Sequence, residues 1–273
     1  MPTIEENKAK WDGTYDWQQA GDEWSVVWGG TQMQWYGTLL PRIHPFLPAG
    51  TILEIAPGFG RWTQFLKDHC EQMIVVDLSE KCIHACQQRF KDCTHISYYV
   101  NDGRSLAMVP DKAIDFAFSF DSLVHVEEPV VSAYVSQLAA KLRRDGVAFI
   151  HHSNLGAYPR YAQLQQTPKL LALLRRLGLV ERSFNWRGFS MSADKMTRLA
   201  EANGLQCISQ EIVPWATQRA LIDCLSVLVK KDSIWSRENR ILRNPSFMKE
   251  GRYLAALTRL YGTPPSKHQG ETR

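Results

Sequence analysis

No stretch of the chain comes near the ~18 consecutive apolar residues of a membrane-spanning helix. The longest candidate, residues 221–229, is short and carries Asp223. The charged N-terminus lacks the apolar core of a secretory leader, so a cytoplasmic protein that does not engage a membrane is expected. The six cysteines include no C-x-x-C pair. Cys70, Cys82, Cys86 and Cys93 lie close enough for a metal cluster with His84 or His95 to be weighed. Cys82 and Cys86 nevertheless fall at helical spacing, and buried reduced thiols are the expectation. Charge of one sign is scarce too. The 32 basic and 28 acidic residues leave +4, spread along the chain rather than gathered into the basic stripe of a nucleic-acid binder. Repeats and low-complexity segments are missing. What remains is ordinary globular composition, 44% hydrophobic and 22% charged. At the usual ~150 residues per domain, the length suits one α/β domain with appendages.

Tryptophan is the residue in excess: there are nine, crowded toward the N-terminus. From residue 51 onward, short apolar runs alternate with helical patterns, the signature of βαβ units and a parallel sheet. Strands are expected at 51–56, 73–77, 95–100, 114–120 and 147–152. Helices are expected at 61–68, from an N-cap at Ser79 to about residue 90, at 129–142 and at 193–202. Residues 206–213 and 220–229 read as an antiparallel pair. Residues 1–50 are aromatic-rich without a clear strand. Residues 154–190 form an insertion with a basic amphipathic helix at 168–179, and both segments cover the carboxyl edge of the sheet, where open α/β sheets bind ligands. Residues 191–232 end the sheet, and 233–273 form a C-terminal tail, frayed after residue 263.

The segment Glu54-Ile55-Ala56-Pro57-Gly58-Phe59-Gly60 ends a strand and opens a helix, with glycines that let a ligand approach the backbone. The dinucleotide pattern G-x-G-x-x-G is not met, because Thr63 stands at the third position. Asp77 ends the second strand, where a carboxylate can accept ribose hydroxyls, and Asn101-Asp102-Gly103 follows the third. These features resemble the class I S-adenosylmethionine-dependent methyltransferases, whose strand-one motif is E-x-G-x-G-x-G. Here Ala56 replaces the first glycine, and Pro57 follows it. The resemblance implies an α/β, doubly wound, mostly parallel seven-stranded Rossmann-like sheet with an antiparallel last strand and a helical N-terminal cap. It makes residues 51–153 the cofactor-binding half, with S-adenosylmethionine as cofactor. Glu54, Ala56, Gly58 and Gly60 would meet its methionine end. Asp77 would take the ribose, Leu78, Asp102 and Gly103 the adenine, and Phe120 would lie beside the methionine moiety.

Methyl transfer to a hydroxyl needs a base that removes a proton, and imidazole titrates near neutrality. Strand five ends in His151-His152-Ser153-Asn154, next to Asp121 and His125 at the end of strand four. One histidine of the His151–His152 pair is expected to act as base, because neighbours on a strand face opposite ways. His125 is a second candidate base, or else only a loop tie. Asp121, His152 and Glu127 are candidates to hold Mg²⁺ or Mn²⁺. The stretch F-S-F-D-S-L-V-H-V-E with I-H-H-S-N-L-G is similar to sugar O-methyltransferases, the mycobacterial methylmannose polysaccharide 1-O-methyltransferase group among them. That similarity implies a carbohydrate hydroxyl as acceptor. Trp24, Trp28, Trp186, Arg187 and Trp215 are the candidate acceptor-binding residues, with Trp35 and Arg160 as further possibilities. Packing is the competing role for each tryptophan. A small-molecule N-methyltransferase is the nearest alternative, followed by an RNA methyltransferase and a cofactor-binding module without catalysis. The expected partner is a small molecule, not nucleic acid or membrane, and the chain is expected to act as a monomer or homodimer.

Overall fold

Five strands form the parallel body of the sheet: β1 (Ala49–Ile55), β2 (Cys70–Asp77), β3 (Ile96–Val100), β4 (Ile114–Ser119) and β5 (Leu142–Ser153). With β6 (Leu205–Val213), β7 (Asp223–Lys230) and β8 (Arg240–Arg243), they make one sheet in the order β3-β2-β1-β4-β5-β7-β6-β8. β7 runs antiparallel to both β5 and β6, while β8 is parallel to β6. These elements come from a computed structural model that describes residues 3–160, 186–215 and 220–262, together with Thr167, Lys169, Ala172, Leu173 and Arg176. Most of the 154–190 insertion, including all but four residues of its expected helix at 168–179, lies outside the described residues, as does the tail after residue 262.

Both faces of the sheet are covered, which is why its strands read as continuous apolar runs. Side chains alternate. Ile52, Phe116 and Phe118 turn to one face with Trp28, Trp35 and Trp62. Leu53, Ile55 and Ala117 turn to the other face, against the Glu128–Lys141 and Ala193–Ala202 helices. The helices start where local chemistry dictates. Ser79 and Ser192 accept backbone N–H groups of Cys82 and Lys195, and Pro129 occupies the first turn of the Glu128–Lys141 helix.

Three expectations need correction. The sheet has eight strands rather than seven. Residues 233–262 are not a tail, because they supply β8 and a 16-residue helix, Phe247–Gly262. β8 escaped notice because Arg-Ile-Leu-Arg at an exposed edge has no buried face to imprint a pattern. The helix did leave a signal: Phe247, Met248, Gly251 and Ala255 are buried at helical spacing. The expected helix over 61–68 breaks into Thr63–Leu66 and a tighter turn, Lys67–His69.

The chain leaves β1 toward β2 and β3, then crosses back to β4 and β5. The turns after β1 and β4 therefore open a crevice at the carboxyl edge, the switch point where doubly wound sheets bind ligands. The N-terminal segment lies over this crevice as short helical turns, Ile4–Ala9, Lys10–Thr14 and Asp22–Trp28. The Phe247–Gly262 helix backs the last of these turns. A Cβ on Gly251 would fall 2.7 Å from the Trp28 indole nitrogen, so glycine is what permits the approach.

Candidate active site

Two chambers meet beneath the N-terminal segment. The first is lined by the turn after β1, by the end of β2, by the turns after β3 and β4, and by Asn7, Trp11, Trp17 and Trp24. Ala56 and Gly58 form its floor at φ +57° and +60°, a left-handed conformation that costs alanine about 1–2 kcal/mol and glycine almost nothing. A Cβ on Gly58 would lie 2.9 Å from the Trp17 ring, which stacks on Phe59 at 4.3 Å and 5°. Asp77 ends β2 with its carboxylate accepting the N–H groups of Gly58 at 3.2 Å and Ser79 at 2.9 Å. Burial pushes this carboxyl up to about 6. The two N–H groups oppose the rise, and the Asp12 carboxylate adds to it. Leu78, Gly103 and Phe120 complete the expected part of the wall, and Arg61, Cys82 and Tyr134 join it unannounced.

Three expected cofactor residues are not on that wall. Glu54 is buried behind it and accepts the Thr63 hydroxyl at 2.6 Å. Burial raises its carboxyl to about 8, so it is largely neutral at pH 7 and braces the turn from within. Gly60 faces Phe90, whose ring would sit 2.5 Å from an added Cβ. Asp102 turns to solvent and accepts the N–H groups of Arg104 and Ser105, which hold its carboxyl below the usual range. The turn after β3 is instead held by Asn101, bonded to Ser105 O and Tyr134 Oη.

The second chamber lies on the other side of Trp11, Trp24, Asp121 and His125, which belong to both. All five residues expected at the acceptor, Trp24, Trp28, Trp186, Arg187 and Trp215, line it. Trp35 does not; it is buried against Phe65 as core. Trp11, Tyr15, Trp17 and Trp24 form one aromatic cluster, with ring centroids 5.0–5.9 Å apart. Trp11, Tyr15 and Trp17 were not singled out in the sequence. Their only signal there was the density of aromatic residues before residue 30.

The histidines sort themselves unexpectedly. His151 is fully buried; its Nδ1 accepts the N–H of Asp121 at 3.0 Å, and its Nε2 lies 3.4 Å from Asp223. His152 points the other way, as strand alternation requires, with Nδ1 donating to Ser153 O and Nε2 bonded to Ser226 Oγ, both at 2.8 Å. Burial drives its imidazole down to about 4. Neither ring lines a chamber: His151 packs against Phe120 and Trp215, and His152 is held by Ser226 on the other face of the sheet. His125 lines both chambers. Its Nδ1 is hydrogen-bonded to Trp186 O, so this nitrogen carries the proton and Nε2 keeps its lone pair. Burial, reinforced by the positive charge of Arg187, lowers its pKa to about 4 and keeps it neutral. Asp121 beside it sits at φ +60°, clamped by Arg61 at 2.9 Å and Arg187 at 3.7 Å.

The proposed metal trio does not converge. Asp121 is held by the two arginines and His152 by serines, while Glu127 accepts the N–H groups of Phe189 and Ser190. Among the described residues no three His, Cys, Asp or Glu side chains are grouped to hold a metal ion, and all six cysteines are free. No described helix is long and apolar enough to cross a membrane.

Known proteins resemble this arrangement. Residues 52–146 match the family model described as a methyltransferase domain. No curated protein sequence matches the chain. Among solved structures, magnesium protoporphyrin IX methyltransferase from Synechocystis, solved with bound SAH, superposes with a TM-score of 0.56 at 16% identity, over 84% of this chain and 100% of that one. The N-methyltransferase NodS from Bradyrhizobium japonicum, in complex with S-adenosyl-l-homocysteine, gives 0.52 at 17% identity, over 84% and 98%. A putative methyltransferase from Listeria monocytogenes gives 0.52 at 13%, over 70% and 97%. At these identities the likeness is one of fold. The first chamber fits the cofactor on its own geometry: a left-handed glycine turn open to a ligand and a buried carboxylate at the end of β2. Residues 52–146 thus match a methyltransferase domain, carried on a fold that this chain shares with solved methyltransferases.

Proposed function

We propose that the enzyme methylates a hydroxyl of a sugar or glycosylated small metabolite, with His125 as general base. The observation that carries this reading is the wall shared by the two chambers, where His125 presents an unprotonated ring nitrogen. Displacement at a methyl carbon is in line, so the attacking oxygen must approach from the side opposite the leaving sulfur. A reaction between ligands in adjoining chambers therefore takes place at Trp11, Trp24, Asp121 and His125.

S-adenosylmethionine, when bound, supplies an electrophilic methyl group on a sulfonium centre, with Ala56, Gly58, Asp77, Leu78, Gly103 and Phe120 as the residues to hold it. The chain does the rest. His125 Nε2 takes the hydroxyl proton as the oxygen bonds to the methyl carbon, while Nδ1–H stays on Trp186 O and holds the ring in place. Trp11 and Trp24 exclude water from the reacting centre and offer faces on which a sugar ring can stack. Asp121, neutralised by Arg61 and Arg187, has no free charge with which to compete for the proton.

His125→Gln is the test, with a panel of sugars and glycosides and release of the demethylated cofactor as readout. Turnover is expected to fall ~10²–10⁴-fold at pH 7.5, with S-adenosylhomocysteine affinity kept. Undiminished turnover removes His125 as base. Turnover that recovers at alkaline pH points to an amine acceptor instead.

A further inference from the structure

The second chamber holds four charged side chains, Lys10, Glu23, Asp121 and Arg187, and they are not equally satisfied. Asp121 is matched by Arg61 and Arg187, and Arg187 also meets both oxygens of the buried Asp223 at 3.1 and 3.0 Å. Those charges cancel within the protein. Glu23 uses one oxygen to accept the Tyr15 hydroxyl at 2.7 Å, while its other oxygen is buried without a partner. Lys10 extends over two indoles, 4.3 Å from the centre of Trp186 and 5.0 Å from that of Trp11. Among the described residues no carboxylate lies within ion-pair distance of it. The aromatic cradle fixes the ammonium but leaves its hydrogen-bond donors unused, because an indole face offers no lone pair.

An acceptor chamber with, among the described residues, one unmatched cation held between aromatic walls is complementary to a particular kind of molecule. We propose that the acceptor is an anionic sugar, a sugar acid or sugar phosphate, whose negative group pairs with Lys10. This deepens the hydroxyl-methylation reading and rests on it for the sugar ring. The contact pins the ring at one point and leaves a hydroxyl to face His125.

Calorimetry on the protein saturated with S-adenosylhomocysteine tests this, with glucose, glucuronate, glucose 6-phosphate and glucosamine as probes. Glucuronate or glucose 6-phosphate should bind about tenfold or more tightly than glucose, as expected for one charge-assisted contact of ~1.5–3 kcal/mol. The tighter of the two tells carboxylate from phosphate. Lys10→Met should erase the preference while keeping cofactor-product affinity and Tm. The proposal is overturned if glucose matches the anions, if no probe binds, if Lys10→Met is silent, or if glucosamine binds best. Anion-selective binding without methyl transfer to any hydroxyl would instead count against the hydroxyl-methylation reading and leave the recognition of anions standing.

Discussion

At the residue scale, the crevice is defined by two non-glycine residues in the left-handed region, Ala56 after β1 and Asp121 after β4. They are tied together: the Ser122 hydroxyl donates to Ala56 O at 2.7 Å, and the Asp121 N–H is taken by His151. His151 thus acts on the turn from below rather than on a substrate. Asp77 is the residue whose chemistry is most exposed to test. Because burial lifts its carboxyl to about 6, the ionised form that best accepts hydroxyl hydrogen bonds is lost as pH falls through that value. S-adenosylhomocysteine affinity should therefore weaken between pH 7.5 and 5. Asp77→Asn should lower it by about 10–100-fold at pH 7.5 and flatten the pH dependence. A wild-type titration as flat as that of the variant would show that Asp77 does not contact the cofactor.

At the element scale, the second chamber is built by segments far apart in the chain. The Asp22–Trp28 turn supplies Glu23, Trp24 and Trp28, and the Phe247–Gly262 helix holds that turn down through the Gly251–Trp28 contact. Gly251→Val would place a Cβ against the indole. Overpacking of this kind typically costs about 1–3 kcal/mol. The variant should melt lower and raise KM for the acceptor, with S-adenosylhomocysteine affinity changed little, since Trp28 lines only the second chamber. A rise in cofactor Kd equal to the rise in acceptor KM would contradict this division of labour. The regular elements were legible where capping residues and apolar periodicity coincide, as at Ser79, Ser192 and the Glu128–Lys141 helix. β8 was not, because an exposed edge strand of four residues is specified by its partner β6 rather than by its own sequence.

At the scale of the whole molecule, four buried groups tie folding to pH in opposite directions. His125 and His152, both lowered to about 4, favour the unfolded state as pH falls from ~6.5, where the unfolded chain takes up protons that the folded chain refuses. Glu54 and Asp77, raised to about 8 and about 6, keep protons in the folded state that the unfolded chain releases above pH ~4.5, so their contribution falls as pH rises. The two effects oppose each other in mild acid. Between pH 6.5 and 8 the histidines no longer contribute and Glu54 alone still titrates. The Tm of the ligand-free protein should decline across that window, and Glu54→Gln, which can still accept the Thr63 hydroxyl, should remove most of the decline. Parallel Tm profiles for the two proteins would rule Glu54 out as the cause.

The amino-acid order by itself determined the parallel sheet, the reversed β7, the glycine turn and Asp77 at the end of β2. Each of these rests on short-range information: apolar runs, a turn that needs left-handed backbone, and a polar residue where a strand stops. It also marked five of the residues that line the second chamber, through nothing more than their aromatic character and charge. Only the tertiary structure decided which histidine lines the chambers. Alternation along β5 predicts that His151 and His152 point apart, but not that Phe120 and Trp215 pack on the one and Ser226 holds the other. His125 gains its fixed tautomer from Trp186, 61 residues away in the chain, and its neutrality from burial reinforced by Arg187. Neither neighbour is readable from the local sequence, because a side chain's surroundings are set by what packs against it.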